Sequence, residues 1–468
     1  MSVARERLIV AAVAVVIFGI PVGVGGQQSE PVRLSLAEAL DLAAGSNPAL
    51  RQATNSTLLN GVEMRSAWLD QVLPRASLTL FDTGFTGNLQ RQALDDFGNP
   101  IARPTANWNY FSRTTHNLAL RWSFQGPSLF QAHNRQQLLN EDRELGLVRA
   151  LTDVQIGVQR LYIDALEQRE LQRAEEELIE ARAIDLDVAE RMFSLALKTR
   201  VDVLNAELAV EQQTLALRRQ EAAFQRALLA LETAMGVSDI GAIELVDEEL
   251  PIFDPATFQV EELVARALGL NPALMQSEVA VNTARAGVAE QNASWWPEIS
   301  MGVDLFRRSF SQAGQALFDP PGSRDLESQF FMNFSFPLLD GYFQQSVARQ
   351  RASVELSNQR EGARQARLEL EATVRGALLD LENQWESYRL SERSNVIADE
   401  ALRLAREEYR LGTRSFEELR SSFQQEADTR RQIITSRHTF VEALLVLEEA
   451  VGGSVREMIP GSGGEAGD

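Results

Sequence analysis

The chain has 468 residues, of which 44% are hydrophobic, and carries a formal net charge of −21 with no cysteine. This length and apolar content suffice for substantial burial, whereas the negative charge and the lack of a long basic run exclude a nucleic-acid-binding protein, which needs clustered Lys and Arg to contact phosphates. The absence of cysteine excludes disulfides, thiolate metal sites and an acylated N-terminal cysteine.

The N-terminus has the pattern of a secretory signal peptide. Arg5 and Arg7 precede an apolar run from Leu8 to Ile20, and small residues follow in "PVGVGG". We therefore predict a signal peptide over residues 1–26, and the alternative is an uncleaved anchor. The run is short for a spanning helix, which needs roughly 20 apolar residues. No later stretch is long and apolar enough to span lipid, so we expect a periplasmic or extracellular protein, or an outer membrane β-barrel.

The four letters NPAL occur at residues 47–50 and again at 271–274. Asn47 and Asn271 fit a helix N-cap, and the following prolines fit the first helical position, where the missing N–H costs nothing. We therefore predict that each copy starts a helix. The alternative is an ordinary Asn-Pro loop.

Other segments recur in the same order at a spacing of 216 residues. The pairs are "LALKTRVD" (195–202) with "RLGTRSFEE" (410–418), and "LALETAMG" (229–236) with "LVLEEAVG" (445–452). A period this long exceeds that of solenoid repeats and indicates duplication of a whole structural unit. We predict a first repeat over residues 27–246, a second over 247–452 and a disordered tail over 453–468.

Each repeat contains a long stretch without proline in which apolar residues step alternately by three and four. The members are Leu147, Leu151, Val154, Val158, Leu161 and Ala165 in the first repeat, and Val374, Leu378, Leu381, Trp385 and Tyr388 in the second. This step is typical of a coiled coil. We predict helical hairpins over 129–236 and 344–452, in which each long helix is a rod of ~100 Å.

The two hairpins are predicted to turn at residues 195–199 and 411–415. "TRVD" from Thr199 and "SFEE" from Ser415 both fit a capping box, in which Ser or Thr is followed three residues later by an acid. The Glu-rich stretch at 175–180 is interpreted as the solvated face of a coiled coil.

Each repeat also has two segments in which apolar and polar residues alternate. The predicted strands lie at about 75–85, 115–125, 298–306 and 328–337, and polar loops are predicted over 86–113 and 307–327. Roughly ten residues with alternating character are typical of membrane barrel strands. Because four strands cannot close a barrel and lipid does not tolerate open edges, we expect other copies to complete it. The alternative is a soluble domain in which two β-hairpins pack on helices.

The repeated NPAL, "FSFPLLDGY" at 334–342 and "YRLGTRSFEELRSSFQQEADTR" at 409–430 together resemble the TolC-like outer membrane efflux proteins, over about residues 33–452. The resemblance implies a mixed α and β, internally duplicated fold. Four transmembrane β-strands per chain would complete a 12-stranded β-barrel in a homotrimer, continued by a long α-helical coiled-coil barrel in the periplasm.

The function that the resemblance implies is an outer membrane exit duct. It would carry small molecules or secreted substrates from an inner-membrane pump of RND or ABC type, through a periplasmic adaptor (membrane fusion) protein. The alternatives are a type I protein-secretion channel and an exported coiled-coil structural or adhesive protein. No enzymatic activity and no cofactor are expected, because His116, His133 and His438 show neither metal-ligand nor triad spacing.

The resemblance also implies roles for residues at the hairpin tips. Tyr409 and Arg414 would form a gate lock with Asp202 of a neighbouring first-repeat hairpin, and Glu418 and Ser421 would lie at the pore constriction. The residues that would contact the adaptor are Leu195, Ala196, Leu197, Lys198, Thr199, Leu411, Gly412, Thr413 and Ser415.

The sequence departs from the family pattern at three places. Ala196 replaces the glycine of the first tip, and Ser421 replaces an acid of the constriction. "SFQGPSLFQ" at 123–131 lacks the Pro-Leu-x-x-Gly pattern that the second repeat keeps at Pro337–Gly341.

Overall fold

A computed structural model describes residues 32–94, 97–238, 241–248, 250–293, 295–312, 326–336 and 342–458. The described elements are β1 (Val32–Leu34), α1 (Leu36–Ser46), α2 (Pro48–Thr57), α3 (Asn60–Val72), β2 (Arg75–Leu94), β3 (Pro100–Gln125), α4 (Ser128–Ser194), α5 (Arg200–Met235), β4 (Ile243–Leu245), α6 (Val260–Leu270), α7 (Pro272–Ala293), β5 (Glu298–Gln312), β6 (Leu326–Ser335), α8 (Tyr342–Arg410) and α9 (Phe416–Val451). The predicted signal peptide, residues 459–468 of the predicted tail and the Pro337–Gly341 pattern lie outside the described residues.

The two halves of the chain carry the same order of elements. In each half, short helices lead into two antiparallel strands, and a very long helix and a shorter one follow. The long helices α4 and α8 have 67 and 69 residues, and the shorter α5 and α9 have 36 each. None of the helices in the described residues is both long and apolar enough to cross a membrane.

The helices pack laterally in the order α5, α4, α9, α8. Each long helix packs against the shorter helix that follows it, and α4 also packs against α9. Two buried clusters lie far from the hairpin turns. One joins α1, α4 and α5 around Tyr162 and Leu231, and the other joins α6, α8 and α9 around Leu263 and Leu444. A third cluster, around Tyr409 and described below, holds the tips together.

Both NPAL copies begin a helix, as predicted, and each also fastens the end of a hairpin. The side-chain oxygen of Asn47 accepts from the N–H groups of Ala49 and Leu50, and Asn271 does the same one half later. The side-chain amide of Asn47 donates to the carbonyl of Ala234 at 2.7 Å. Asn271 donates in the same way to the last turn of α9, at a distance of 3.1 Å. The motif therefore ties a helix N-terminus to the distant C-terminus of α5 or α9.

The four long strands form one antiparallel sheet in the order β2, β3, β5, β6. The predicted loop over 86–113 is wrong, because β2 continues to Leu94 and β3 begins at Pro100. Polar residues in this part pair directly across the two strands, as Asn88 does with Asn109. The Thr, Asn and Gln residues here favour a loop by composition, although paired backbone groups hold the segment as an antiparallel ribbon. The corresponding second loop is shorter than predicted at its start, since β5 extends to Gln312.

Candidate functional site: the sheet faces and the hairpin tips

The register of the sheet sorts its side chains into an apolar face and a polar face. Rows on the first face are Leu120, Val303 and Phe330; Trp122, Met301 and Met332; Phe124, Ile299 and Phe334. Rows on the second face are Ala119, Asp304 and Gln329; Ser123, Ser300 and Asn333. Side chains of the apolar face are exposed on the edge strand β6, where Phe330 is 68% and Met332 is 64% accessible. This division of a sheet is what a wall between lipid and an aqueous lumen requires.

The two hairpin tips have the same backbone geometry. At the first tip, the N–H of Leu197 donates to the carbonyl of Met192 at 2.9 Å, and at the second, Thr413 donates to Glu408 at 3.0 Å. These are the bonds of a Schellman motif, which ends a helix with one left-handed residue. That residue is Gly412 at the second tip, with φ of 77°. At the first tip it is Ala196, with φ of 58°, where the family pattern has glycine.

A capping box begins the second helix of each hairpin, as predicted. The Asp202 carboxylate accepts from the backbone N–H and the hydroxyl of Thr199, both at 2.8 Å. Glu418 accepts in the same way from Ser415, at 3.0 and 2.9 Å. The backbone and hydroxyl hydrogen bonds from Ser415, aided by the charge of Arg414, lower the pKa of Glu418. Glu418 is therefore held in its charged form in the first turn of α9.

Tyr409 lies at the centre of the cluster that packs the tips together. Its side chain is 2% accessible and contacts Phe416 edge-on, with ring centroids 6.0 Å apart. Its hydroxyl is buried and has no hydrogen-bond partner in the described residues. Burial, with the charges of Asp202 and Asp185, raises the pKa of Tyr409 to about 12. The phenol thus stays neutral and keeps a free hydrogen-bond donor.

Lys198 joins the first tip to the second. Its Nζ donates to the backbone carbonyl of Arg414 at 2.9 Å and lies 4.3 Å from the ring centroid of Tyr409. Within the described residues, the guanidinium of Arg414 is paired with Glu408 at 3.2 Å and makes no ion pair with Asp202 of the same chain. Sequence reasoning gave Lys198 only as a tip residue and missed these contacts.

The remaining predicted tip residues lie at the surface. Leu195, Leu197 and Leu411 are 68%, 65% and 73% accessible, so both turns present apolar side chains to solvent. Thr413 closes its own turn, since its hydroxyl donates to the Glu408 carbonyl at 3.0 Å. Ser421 is exposed on α9.

Sequence reasoning also missed a set of buried charges between the hairpins. Glu175 is 5% accessible, which corrects the interpretation of 175–180 as wholly solvated. Arg431 of α9 donates to its carboxylate at 2.6 and 3.2 Å, and Gln213 of α5 donates to it from the other side. Nearer the tips, Asp185 of α4 faces Arg406 of α8 at 3.6 Å. The sequence does contain a signal for Glu175, because this residue falls on an apolar position of the heptad pattern of α4 and is therefore expected to be buried.

The described residues contain no group of three or more His, Asp or Glu side chains that could hold a metal ion. The three histidines lie apart. His116 is on β3, His133 is exposed on α4, and His438 is fully buried on α9, where its Nε2 lies 3.1 Å from Glu170.

Residues 263–453 match the family described as outer membrane efflux protein. The predicted resemblance to the TolC-like outer membrane efflux family is confirmed. A relative of the chain is Protein CyaE of Bordetella pertussis, which is 25% identical over 362 residues, covering 77% of this chain and 72% of the relative.

Solved structures share the fold. The outer membrane channel CmeC of Campylobacter jejuni is 15% identical with a TM-score of 0.69, covering 89% of this chain and 85% of that one. The outer membrane protein VceC of Vibrio cholerae is 15% identical with a TM-score of 0.67, covering 90% and 96%. The family description and these folds support an outer membrane efflux channel.

Proposed function

We propose that the chain is one third of a homotrimeric exit duct that runs from the outer membrane into the periplasm. It receives small molecules or secreted substrates from an inner-membrane pump of RND or ABC type, through a periplasmic adaptor. The observation that carries this proposal is that the sheet and the helical layer each have two unpaired edges. In each case, one edge of one copy can pair with the other edge of the next copy.

The sheet is open at β2 and at β6, which lie at its two edges. Unpaired backbone groups at both edges are incompatible with lipid, so each edge strand must pair with a strand of another copy. When β6 of one copy pairs with β2 of the next, three copies make a closed barrel of twelve strands, an even number that such barrels adopt. The apolar face then meets lipid and the polar face lines the lumen.

The helical layer is open at α5 and α8, the outer members of the packing order. Each carries exposed apolar residues at intervals of seven: Val201, Leu208 and Leu215 on α5, and Leu390, Ile397 and Leu404 on α8. Stripes with this spacing are typical of a coiled-coil seam that lacks its partner. Joining α8 of one copy to α5 of the next closes the helical barrel in the same trimer.

Disulfide crosslinking tests this arrangement cleanly, because the chain has no cysteine of its own. Leu215 and Ile397 both lie about 20 Å from the tips at a rise of 1.5 Å per residue, on the stripes of α5 and α8. The variant with Leu215→Cys and Ile397→Cys, oxidised in detergent-solubilised membranes, should give covalent dimers and trimers on a denaturing gel. The matched control replaces Ile397→Cys by Asp399→Cys, which is exposed on nearly the opposite side of α8 and should give neither.

A protein that stays monomeric in detergent and gives no crosslinked trimer would overturn the proposal. An exported coiled-coil protein without a channel would also stay in solution without detergent. For the duct itself, purified trimers added to planar bilayers should produce discrete conductance steps, and their absence would contradict channel formation.

The tips are the proposed gate. Tyr409 and Arg414 would form the lock with Asp202 of a neighbouring first-repeat hairpin, and the pair of Arg414 with Asp202 would be a charge-assisted contact that adaptor binding can break. Three Glu418 carboxylates would surround the narrowest part of the pore and attract cations, with Ser421 beside them. The exposed leucines of both tips offer the adaptor an apolar surface.

A further inference from the structure

A cavity of about 330 Å³ lies between α4 and α8 next to the tips. Asp185 and Val188 line it on α4, Arg406 and Tyr409 on α8, and Leu419 on α9. The cavity therefore lies where the first hairpin contacts the second, and its lining changes whenever the two hairpins move apart.

Two polar atoms of the cavity's lining residues are buried and have no hydrogen-bond partner among the described residues. They are Oδ2 of Asp185 and the hydroxyl of Tyr409. The other oxygen of Asp185 lies 3.6 Å from Nε of Arg406, a distance that is too long for a good hydrogen bond. The Asp185 side chain is only 12% accessible, so its charge is poorly compensated by water.

Charged groups face Asp185 from three helices. Arg182 lies on the same helix, Glu426 on α9, and the α8 side presents Arg403, Arg406, Glu407 and Arg410. The charge of Asp202 on α5 also acts on the Tyr409 hydroxyl of this cavity, whose pKa it raises. Arg182 and Arg406 both lie over the ring of Phe423, at 4.1 and 4.9 Å from its centroid. Both guanidiniums therefore contact the Phe423 ring, and neither is placed to compensate the Asp185 carboxylate fully.

We propose that Asp185 makes the contact between the two hairpins sensitive to protons. The protonated side chain stabilises the packed tips, and the charged side chain favours hairpins that have moved apart and let water reach it. A neutral carboxyl loses little on burial and adds an O–H donor to a cavity with unpaired polar atoms, whereas a half-paired carboxylate pays a desolvation cost.

The direction of the pH dependence follows from the two environments. In the packed tips, burial outweighs Arg406 and Arg182 and raises the pKa of Asp185 to about 6. In separated hairpins the group is solvated and has its ordinary pKa of about 3.9. The packed arrangement thus binds the extra proton between these values, and it loses this stabilisation as the pH rises through 6. From pH 5 to pH 7 the equilibrium should shift about tenfold toward separation.

Hydrogen exchange on the full-length protein in detergent tests this inference without relying on transport. After correction for intrinsic chemical exchange, the protection of residues 400–410 should fall about tenfold from pH 5 to pH 7. In Asp185→Asn, which mimics the neutral acid, this fall should disappear and protection should stay high. The matched control is Asp187→Asn on the same helix, since Asp187 is 52% accessible and pairs with Arg191. It should show the wild-type fall.

Equal protection of the wild type at both pH values, or the same fall in Asp185→Asn, would overturn the inference. Its consequence for gating rests on the proposed function, and bilayer recordings separate the two. A conductance that drops at acid pH in the wild type but not in Asp185→Asn supports both. A pH-dependent protection with unchanged conductance supports the proton-sensitive contact and counts against a gate at the tips.

Discussion

Ala196 and Gly412 adopt the same left-handed backbone conformation at equivalent positions of the two hairpin turns, with φ of 58° and 77°. Glycine adopts this conformation freely, whereas a residue with a Cβ is strained there by about 1 kcal/mol. The first tip therefore carries a strain that the second does not. If adaptor binding moves the tips, the first is the easier turn to reshape.

Replacing Ala196→Gly should relieve this strain and raise the local free energy of opening by about 1 kcal/mol. Hydrogen exchange of the amides around residues 192–200 measures this quantity directly. Ala209→Gly is the control. In the interior of α5 the same change should lower the local free energy of opening by about 1 kcal/mol, because glycine destabilises a helix. A loss of protection in Ala196→Gly would show that the turn is not strained.

Gly236→Ala should destabilise the protein more than Gly412→Ala, although the two glycines have similar φ of 75° and 77°. A Cβ on Gly412 would meet no atom within 4 Å, whereas a Cβ on Gly236 would lie 2.6 Å from the carbonyl oxygen of Ser46. The left-handed conformation destabilises both variants by about 1 kcal/mol, and overpacking destabilises only Gly236→Ala, by about 1–3 kcal/mol more. Thermal unfolding followed by circular dichroism compares them, and equal unfolding temperatures would contradict the close approach of NPAL to α5.

The asparagine of the second NPAL has two separable tasks. Asn271→Ala should lose both the N-cap and the hydrogen bond to Ala450, at a cost of about 1–3 kcal/mol. Asn271→Ser keeps a capping oxygen but lacks the amide donor, so it should retain part of this stability. Denaturant unfolding monitored at α7 and α9 tests the ranking. If the Ser and Ala variants were equally unstable, the cap would contribute nothing and the link to α9 everything.

The buried pair of Glu175 and Arg431 should be costly to break from one side. Among the described residues, Arg431→Met leaves the Glu175 carboxylate, which is 5% accessible, with only Gln213 as a hydrogen-bond partner, and we expect a loss of stability of about 3–5 kcal/mol. Adding Glu175→Met to this variant removes the unpaired charge and should recover much of the loss. The exposed Arg364 pairs with Glu361 at 3.6 Å, so Arg364→Met should change stability by less than about 1 kcal/mol. No recovery in the double variant would mean that the pair stabilises through more than charge balance.

The sequence predicted the parts of this fold whose periodicity is strong. Sustained three-and-four steps predicted α4 and α8, and two capping boxes located the turns between helices. The reach of β2 and β3 was underestimated, because their outer halves are rich in Thr, Asn, Gln and Arg and resemble a loop in composition. Glu175 and Asp185 were missed as buried groups, since charge on a coiled coil usually faces water and only the packing of α4 against a second hairpin encloses them.

The proposed gate lock of Tyr409 and Arg414 with Asp202 was predicted from the family resemblance alone. Lys198 was accessible to sequence reasoning only as one basic residue beside a turn. Its two contacts, with the Arg414 carbonyl and the Tyr409 ring, arise because the two hairpin turns lie side by side along the helix axes.

The gate variant Tyr409→Phe with Arg414→Glu should give a leaky channel. In the described chain the Tyr409 hydroxyl bonds to nothing, so its loss alone should leave the packing of the tips intact. Arg414→Glu has the larger effect, because it removes the partner of Glu408 and places a negative charge near Glu418, whose pKa the Arg414 charge helps to lower. In the proposed trimer these like charges would repel one another and destabilise the closed arrangement.

Single-channel recording in planar bilayers measures the outcome as a raised conductance and longer openings. The control is Arg420→Glu in the first turns of α9, where the Arg420 side chain is 51% accessible and pairs within its own helix with Glu417 at 3.6 Å. Conductance in the gate variant equal to that of the wild type would show that Arg414 serves only its own turn. A leak of equal size in Arg420→Glu would show that added negative charge anywhere near the tips opens them, and that no specific lock exists.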